Sequence, residues 1–393
     1  MRAGLDVVVP DDGGRPTGGS LYDRRLVAAL GALGRPARLV PVAGDWPAPD
    51  GAARARLRRA LGAPAPGRVV VLDGLVGCAA PEAVDDAVRS GVPVHLLVHL
   101  PLPADTGPDL TAATELARQE AAALAAATGV LTPSTWAARD LFRRYGTADA
   151  AVAEPGAERG PVAVGSCPPR LTCLASLTPR KNQRLLLEAL APLAGIGWTL
   201  DLVGPEGAPE YVGELRAAVR ELPGTGRVRC PGPLGGAALA RQWARTDLLL
   251  LPSTTETYGM VVTEALAHGV PALVAAGTGA VEALDGTPGH RDEDGAGTPV
   301  DAGTRAGAAL DPAVPSAWTE VLRDWLTDPA LRAQWRAAAL VRRERLRVWE
   351  ETARDVLAAI APHLDPPDPL EQNADHDHDT DHDHDTERTR RPS

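Results

Sequence analysis

Short apolar runs and longer amphipathic segments alternate along most of this chain. In the first half, the runs LDVVVP, ARLVPV, RVVVLDG and PVHLLVHL are separated by helical patterns such as SLYDRRLVAALGALG. The second half repeats the alternation with its own first run, RLTCLAS, followed by WTLDLVG, RVRCPG and LLLLP. Strands separated by helices of ten or more residues are typical of βαβ units and a parallel sheet. The pattern predicts two Rossmann-like α/β domains.

A cluster of proline and glycine from Pro155 to Pro169 is the predicted linker between the domains. We predict an N-terminal Rossmann-like domain over residues 1–160 and a C-terminal Rossmann-like domain over 161–345. A C-terminal helix over 346–364 and a disordered tail over 365–393 follow. The His/Asp-rich tail has too few apolar residues to order itself, and weak zinc or nickel binding is the alternative reading.

The stretch from Leu248 to Ala272 predicts a buried strand, a polar turn and a helix from about Tyr258 to His268. A central parallel strand followed by such a turn brings a helix N-terminus to the carboxyl edge of the sheet, where anions bind. Glu256 lies in the turn, and Glu264 lies on the helix among apolar neighbours. A glutamate on a buried helix needs a hydrogen-bonding partner, which a ligand hydroxyl could provide.

Composition narrows the class of protein. The chain has 393 residues and a formal net charge of −11, which argues against a nucleic-acid partner. Its four cysteines show no CxxC spacing, and no apolar run is long enough for a transmembrane segment. We therefore expect a cytoplasmic protein. The arginine-rich run from Ala53 to Gly62 predicts either a solvated helix face or peripheral contact with the inner face of a membrane.

Two further segments are candidates for phosphate binding. Gly18 and Gly19 follow the first strand and open a helix, so their backbone could approach a ligand closely, although a mobile loop is the alternative. Arg180 and Lys181, in TPRKNQ, lie where a strand ends and a helix begins. Two cations at a helix N-terminus are unfavourable unless an anion is placed there. Lys181 is also the single lysine of a chain that otherwise uses arginine.

The ordered combination of these motifs resembles the family-4 retaining glycosyltransferases of GT-B fold. The resemblance extends from about Leu5 to Ile360 and is strongest from Leu171 to Glu282. It implies two Rossmann-like domains facing across a cleft, with a C-terminal helix that begins at Trp349 and crosses back to the first domain. The first domain would lie on the acceptor side, and the second would bind the nucleotide-sugar donor. The implied reaction moves a sugar from a UDP-, GDP- or ADP-sugar to an acceptor, which could be a small molecule, a glycan or a lipid. No metal and no cofactor are implied.

The resemblance also implies residue roles. Glu264 would accept hydrogen bonds from the ribose of the donor, and His99 and Glu256 would lie beside the transferred sugar. Lys181 would hold the departing diphosphate. The remaining implied donor-binding residues would contact the sugar and the diphosphate: Gly18, Gly19, Arg180, Gly259, Met260 and Val261.

The chain departs from the family at several positions. Ala175-Ser176 stands where many members have an arginine at the end of a strand, and Glu282 lies in a segment that matches only loosely. Three alternatives therefore stay open, namely a sugar-nucleotide epimerase, a phosphorylase, and a catalytically silent protein that binds sugar nucleotides.

Overall fold

The computed structural model describes residues 4–14, 17–105, 110–147, 149–222, 224, 226–286 and 305–364. The first sheet has the strand order β2-β1-β3-β4-β5-β6, and all its pairings are parallel. Its strands are β1 (Leu5–Pro10), β2 (Ala37–Val42), β3 (Val69–Asp73), β4 (Val94–Leu97), β5 (Gly129–Thr132) and β6 (Ala151–Val152). The helices of this half are α1 (Gly18–Ala32), α2 (Gly51–Leu61), α3 (Gly74–Gly77), α4 (Pro81–Arg89), α5 (Leu110–Ala126) and α6 (Thr135–Tyr145).

The second sheet is also parallel throughout, with the order β12-β11-β10-β7-β8-β9. Its strands are β7 (Arg170–Leu174), β8 (Thr199–Val203), β9 (Val228–Gly232), β10 (Leu248–Leu251), β11 (Ala272–Ala275) and β12 (Gly307–Leu310). The helices are α7 (Gln183–Leu190), α8 (Pro209–Glu221), α9 (Gly236–Arg245), α10 (Met260–Ala267), α11 (Ala280–Asp285), α12 (Pro315–Thr327), α13 (Pro329–Glu344) and α14 (Trp349–Ile360). The predicted pair of Rossmann-like sheets is confirmed.

Each sheet reverses its strand order at one point near its centre. In the first sheet the reversal lies between β1 and β3, and in the second it lies between β7 and β10. The loops that leave two such strands diverge and open a crevice at the carboxyl edge, which is where open α/β sheets bind ligands. The Gly18 segment follows β1, the Lys181 segment follows β7, and the Glu256 turn follows β10. The topology thus gathers the predicted motifs at the two crevices.

The C-terminal helix α14 packs on the first domain, as predicted. The ring of Trp349 meets that of Tyr22 on α1 edge to face, with centroids 5.3 Å apart. The hydroxyl of Thr352 donates a hydrogen bond of 2.6 Å to the carbonyl of Glu154. Gly156 admits no side chain, since a Cβ there would lie 2.3 Å from the backbone nitrogen of Trp349. The helix therefore packs closely against the segment that follows β6.

Some local predictions need correction. Helix α10 begins at Met260 instead of Tyr258, because Gly259 has a φ of +83° and cannot continue a helix backwards. Between Ala276 and Leu310 the chain forms α11 and β12, while 287–304 and the tail 365–393 lie outside the described residues. In the arginine-rich helix α2, Arg54 and Arg58 form ion pairs with acids of α4, which favours the solvated-face reading. No described helix is long and apolar enough to span a membrane.

Candidate active site

Four hydrogen bonds join the two domains beside the cleft. The hydroxyl of Thr257, in the turn after β10, donates to the carbonyl of His99 at 2.5 Å, and the hydroxyl of Ser134 donates to the carbonyl of Thr257. The indole of Trp136 donates to the carbonyl of Gly277 at 2.9 Å, and the amide of Thr135 donates to the carboxylate of Glu282 at 2.9 Å. These bonds hold the turn of the second domain against the first domain.

Lys181 and Glu256 form a direct ion pair in the cleft-side loops of the second domain. The ammonium of Lys181 contacts Oε2 of Glu256, and their side chains are 14% and 13% exposed. Burial opposes ionisation of Glu256, but the charges of Lys181 and Arg180 outweigh it and hold the pKa of the carboxyl below its ordinary value. The sequence suggested no partner for Glu256, because its cation lies 75 residues away along the chain.

The backbone differs from prediction around Lys181. Arg180 and Lys181 lie on a 3₁₀ turn from Pro179 to Lys181, before the helix instead of within its first turn. Asn182 separates this turn from α7 with a φ of +54°. The guanidinium of Arg180 donates to the carbonyl of Thr255 at 3.2 Å, so Arg180 ties the turn to the segment that carries Glu256. Arg180 and Lys181 thus hold the 3₁₀ turn and the Glu256 turn together.

The turn that carries Glu256 is packed without spare room. The amide of Gly279 donates to the carbonyl of Glu256 at 2.7 Å. A Cβ at Gly279 would lie 1.9 Å from the carbonyl oxygen of Thr257, so only glycine fits there. At Gly259, a Cβ would lie 3.2 Å from the side chain of Leu251, and the positive φ also favours glycine. Both glycines fix where the turn delivers α10.

The N-terminus of α10 lies beside Glu256 and has no side-chain cap. The first amides of a helix have no intrahelical acceptor, so those of Gly259, Met260 and Val261 are available to an anion. The side chain of Met260 packs against the cores of both domains, which places this helix end at the domain interface. The predicted donor-binding amides therefore lie at the cleft.

Glu264 is half-buried on α10, and within the described residues its carboxyl forms no hydrogen bond or ion pair. Burial raises its pKa to about 7, and the charge of Arg25 on α1 moderates the rise. A carboxyl that is desolvated without a protein partner is the kind of group that a ligand satisfies. The apolar neighbours that the sequence shows around Glu264 are consistent with this desolvation.

Helix α1 presents its N-terminus from the first domain. Thr17 caps the helix and forms a reciprocal pair of hydrogen bonds with Ser20. Gly18 is open, with nothing within 4 Å of a Cβ built there, whereas a Cβ at Gly19 would lie 3.0 Å from Cδ2 of His99. Gly19 and His99 are therefore neighbours, which the separate sequence motifs did not indicate.

His99 follows β4 and points one nitrogen into a buried acidic pair. Its Nε2 is 3.0 Å from Oδ1 of Asp23 and 3.8 Å from Oδ2 of Asp73. The sequence analysis missed both acids, although signals exist. Asp73 closes the apolar run of β3, and Asp23 lies on the same helical face as the buried Leu26 and Leu30.

The structure also accounts for Glu282 and Ala175, two positions at which the chain departs from the family pattern. Glu282 accepts the amide of Thr135 at the start of α6, so it caps a helix of the other domain. Burial raises the pKa of Glu282, and the amides of Thr135 and Trp136 limit the rise. At the end of β7, Ala175 offers no charge, and its carbonyl would lie 2.1 Å from a Cβ at Gly204. Arg180 and Lys181, on the 3₁₀ turn, are therefore the cations predicted to hold the diphosphate.

Comparison with proteins of known sequence finds a family match within the second domain. Residues 168–311 match the family model described as glycosyl transferases group 1. D-inositol 3-phosphate glycosyltransferase of Jonesia denitrificans is 32% identical over 189 residues, which are 46% of this chain and 40% of the relative. The enzyme of the same name from Kineococcus radiotolerans is 33% identical over 160 residues, 40% of this chain and 34% of the relative. This chain thus spans less than half the length of these curated relatives.

Solved structures resemble the whole two-domain arrangement. Sucrose-phosphate synthase from Thermosynechococcus elongatus superposes with a TM-score of 0.72 at 16% identity, covering 92% of this chain and 99% of that one. HepE of Anabaena in complex with UDP gives a TM-score of 0.65 at 17% identity, covering 91% and 100%. This chain therefore has the GT-B fold, with a second domain that matches the group 1 glycosyltransferases.

Proposed function

We propose that this protein is a retaining glycosyltransferase that moves a sugar from a nucleoside-diphosphate sugar to an acceptor, without a divalent metal. The observation that carries the proposal is the convergence of three groups at one crevice. These are the Lys181–Glu256 ion pair, the uncapped N-terminus of α10 and the unpartnered carboxyl of Glu264. Together they offer a cation and amides for a diphosphate and a carboxylate for hydroxyl groups.

Each group has a role in this proposal. The amides of Gly259, Met260 and Val261, together with Arg180 and Lys181, contact the diphosphate and stabilise the negative charge that grows as the glycosidic bond breaks. Glu264 accepts hydrogen bonds from the ribose, and Glu256 and His99 lie beside the sugar. Gly18 and Gly19 approach the phosphates from the first domain, so domain closure completes the site. The departing diphosphate assists deprotonation of the acceptor on the same face of the sugar, which gives retention.

A screen of nucleotides tests the proposal. We expect UDP, GDP or ADP to raise the melting temperature, because a ligand at 100 times its Kd stabilises the fold by about 2.7 kcal/mol. UDP is the first candidate, since HepE structures contain UDP, UDP with glucose, and UDP-glucose. NMR of the first product, formed in EDTA, should show retention. Inversion, or loss of turnover in EDTA, would contradict the finer parts of the proposal.

Assays of the products formed from a sugar nucleotide separate the alternatives. An epimerase would convert the sugar nucleotide without any acceptor, and a phosphorylase would require inorganic phosphate. A silent binding protein would be stabilised by the nucleotide but would release none of it from a sugar nucleotide. D-inositol 3-phosphate belongs among the acceptors tested, since the curated relatives carry it in their names.

Nucleotide affinity should depend on pH through Glu264. Ribose hydroxyls donate hydrogen bonds to a carboxylate, so binding favours the ionised form of a group whose pKa is about 7 in the empty site. We expect the affinity to fall as pH drops from 8 to 6 and a proton to be released on binding near pH 7. Calorimetry in buffers of different ionisation enthalpy measures this release. Glu264→Gln should bind more weakly, and its affinity should lose this pH dependence. A parent affinity that stays constant over this range would contradict the role of Glu264.

A further inference from the structure

A buried polar cluster lies at the carboxyl edge of the first sheet, between α1, the end of β3 and the segment after β4. Asp23, Asp73 and His99 each place a nitrogen or oxygen atom there, all within 4.8 Å of one another. The side chains of Asp23 and Asp73 are 1% and 6% exposed, whereas that of His99 is 17% exposed. The cluster is therefore sealed on the side of the acids and accessible only from the side of the histidine.

In the described part of the chain, His99 is the one cationic partner of Asp23 and Asp73. Among the described residues no arginine or lysine forms an ion pair with Asp23 or Asp73. Oδ1 of Asp73 accepts the amide of Leu75 at 2.6 Å, but Oδ2 of Asp23 is buried without a hydrogen-bond partner. Burying an unpaired carboxylate is costly. His99 is therefore the one described side chain in contact with both acids that can carry a compensating charge.

The surroundings of His99 restrict how its ring can turn. The ring packs edge to face against that of Tyr22, with centroids 5.0 Å apart. On the side of Cδ2 it lies so close to Gly19 that a Cβ there would be 3.0 Å away. Burial raises the pKa of Tyr22 well above its ordinary value, so its hydroxyl stays neutral. Asp23 and Asp73 are thus the charged groups that face the imidazole. Within the described residues Nδ1 has no hydrogen-bond partner.

We propose that Asp23 is a positioning residue for His99. It accepts the hydrogen bond from Nε2–H and so holds the ring as an imidazolium whose Nδ1–H points away from the acid pair. The proposal rests on the proposed function in placing His99 beside the transferred sugar, where this Nδ1–H donates to an oxygen of the sugar or the acceptor. The hydrogen bond at one ring nitrogen decides which state the other nitrogen takes.

The proton count of the cluster supports this arrangement. Burial, together with the charge of Asp23, raises the pKa of Asp73 to about 7 despite the opposing charge of His99. Burial lowers the pKa of His99, but the two acids outweigh it, so the pKa is raised overall. With one proton on the acid pair, the pair carries a single negative charge, which an imidazolium at His99 balances. Neutrality of the cluster as a whole is what burial favours.

Two substitutions with opposite expectations test the proposal. Asp23→Asn removes the carboxylate that Nε2–H contacts directly and leaves Asp73 at 3.8 Å, so the pKa of His99 should fall and kcat/KM should fall roughly ten- to a hundredfold. The alkaline limb of its pH profile should move to lower pH, because the imidazolium now loses its proton earlier. Asp73→Asn imitates the protonated acid, so it should keep the imidazolium and most of the activity. Asp86→Asn, at an exposed position of α4, is the matched control.

The decisive measurement is the ¹⁵N NMR spectrum of histidine-labelled protein, with the His99 signals assigned by comparison with His99→Gln. It distinguishes the imidazolium from the two neutral tautomers without any substrate. Stabilisation by UDP should remain in Asp23→Asn, so a failed proposed function and a failed network give different results. The proposal is overturned if His99 in Asp23→Asn stays charged and active, or if Asp73→Asn is the more damaging change. It is also overturned if the parent retains one equivalent of a divalent metal that Asp23→Asn loses.

Discussion

Replacing Lys181 with alanine is expected to lower kcat/KM for sugar transfer by roughly ten- to a hundredfold, because a charge-assisted hydrogen bond contributes about 1.5–3 kcal/mol. Lys181 pairs with Glu256, whose side chain lies beside Gly259 at the start of α10, where the proposed diphosphate binds. Because the diphosphate gains charge as the glycosidic bond breaks, the loss should appear in kcat as well as in nucleotide affinity.

The ion pair adds a second consequence. Without Lys181, Arg180 is the described cation that still lowers the pKa of Glu256, so this pKa should rise. The acid limb of the pH–activity profile should therefore move to higher pH. Lys181→Arg should recover only part of the activity, because a planar guanidinium occupies the space of a compact ammonium poorly.

Arg184→Ala is the matched control for removing a cation from the same segment. Arg184 follows three residues later on α7, its side chain is 49% exposed, and it pairs with the exposed Glu188 and Glu214. Surface pairs of this kind contribute about 0–1 kcal/mol, so little change is expected. If Lys181→Ala turns over sugar nucleotide like the parent while Arg184→Ala does too, the diphosphate lies elsewhere.

The fold could be read from the sequence because its signal is long and repeated. The buried strands are rich in apolar residues, such as LLLL in β10 and VVVLD in β3, and they alternate with helices along the chain. The boundaries were less predictable. Helix α10 starts two residues late and α7 starts after Lys181, because the positive φ at Gly259 and Asn182 interrupts the helical backbone. A periodic pattern carries no information about such single dihedral angles.

The candidate site divides in the same way. Groups that lie in one continuous segment, such as Glu256, Glu264 and the start of α10, could be predicted because local secondary structure places them. The Lys181–Glu256 pair and the Asp23–His99 contact join residues 75 and 76 positions apart, so only the tertiary structure brings them together. For the missed acids the local signal is partial, since the helical spacing of Asp23 with Leu26 and Leu30 indicates a buried face but not the histidine that it meets.

Gly279→Ala is expected to cause the second large effect, through backbone displacement instead of lost charge. Gly279 has an ordinary helical φ of −63°, so alanine itself is not strained there. Its Cβ would nevertheless lie 1.9 Å from the carbonyl oxygen of Thr257, and a backbone atom cannot move aside as a side chain can. Either the segment around Gly279 or the turn around Thr257 must therefore shift.

The shift should reach the proposed chemistry directly. The amide of Gly279 donates to the carbonyl of Glu256, and Thr257 bonds to His99 across the cleft, so displacing either strains the Glu256 turn and the domain contact together. Overpacking of this kind costs about 1–3 kcal/mol of the free energy of unfolding. A displacement of about 1 Å at a reacting group can lower turnover roughly a hundredfold.

Urea unfolding and steady-state kinetics of Gly279→Ala, measured beside Gly213→Ala, separate this effect from the general effect of adding a methyl group. Gly213 lies on the exposed face of α8 with nothing within 4 Å of a Cβ, so alanine there should leave activity intact and stabilise the helix by roughly 0.5–1 kcal/mol. Gly279→Ala should instead unfold at lower urea and lose far more activity than stability, because the protein that remains folded carries a misplaced Glu256. If the two variants behave alike, the turn tolerates the methyl group, and the tight packing inferred for the Glu256 turn is wrong.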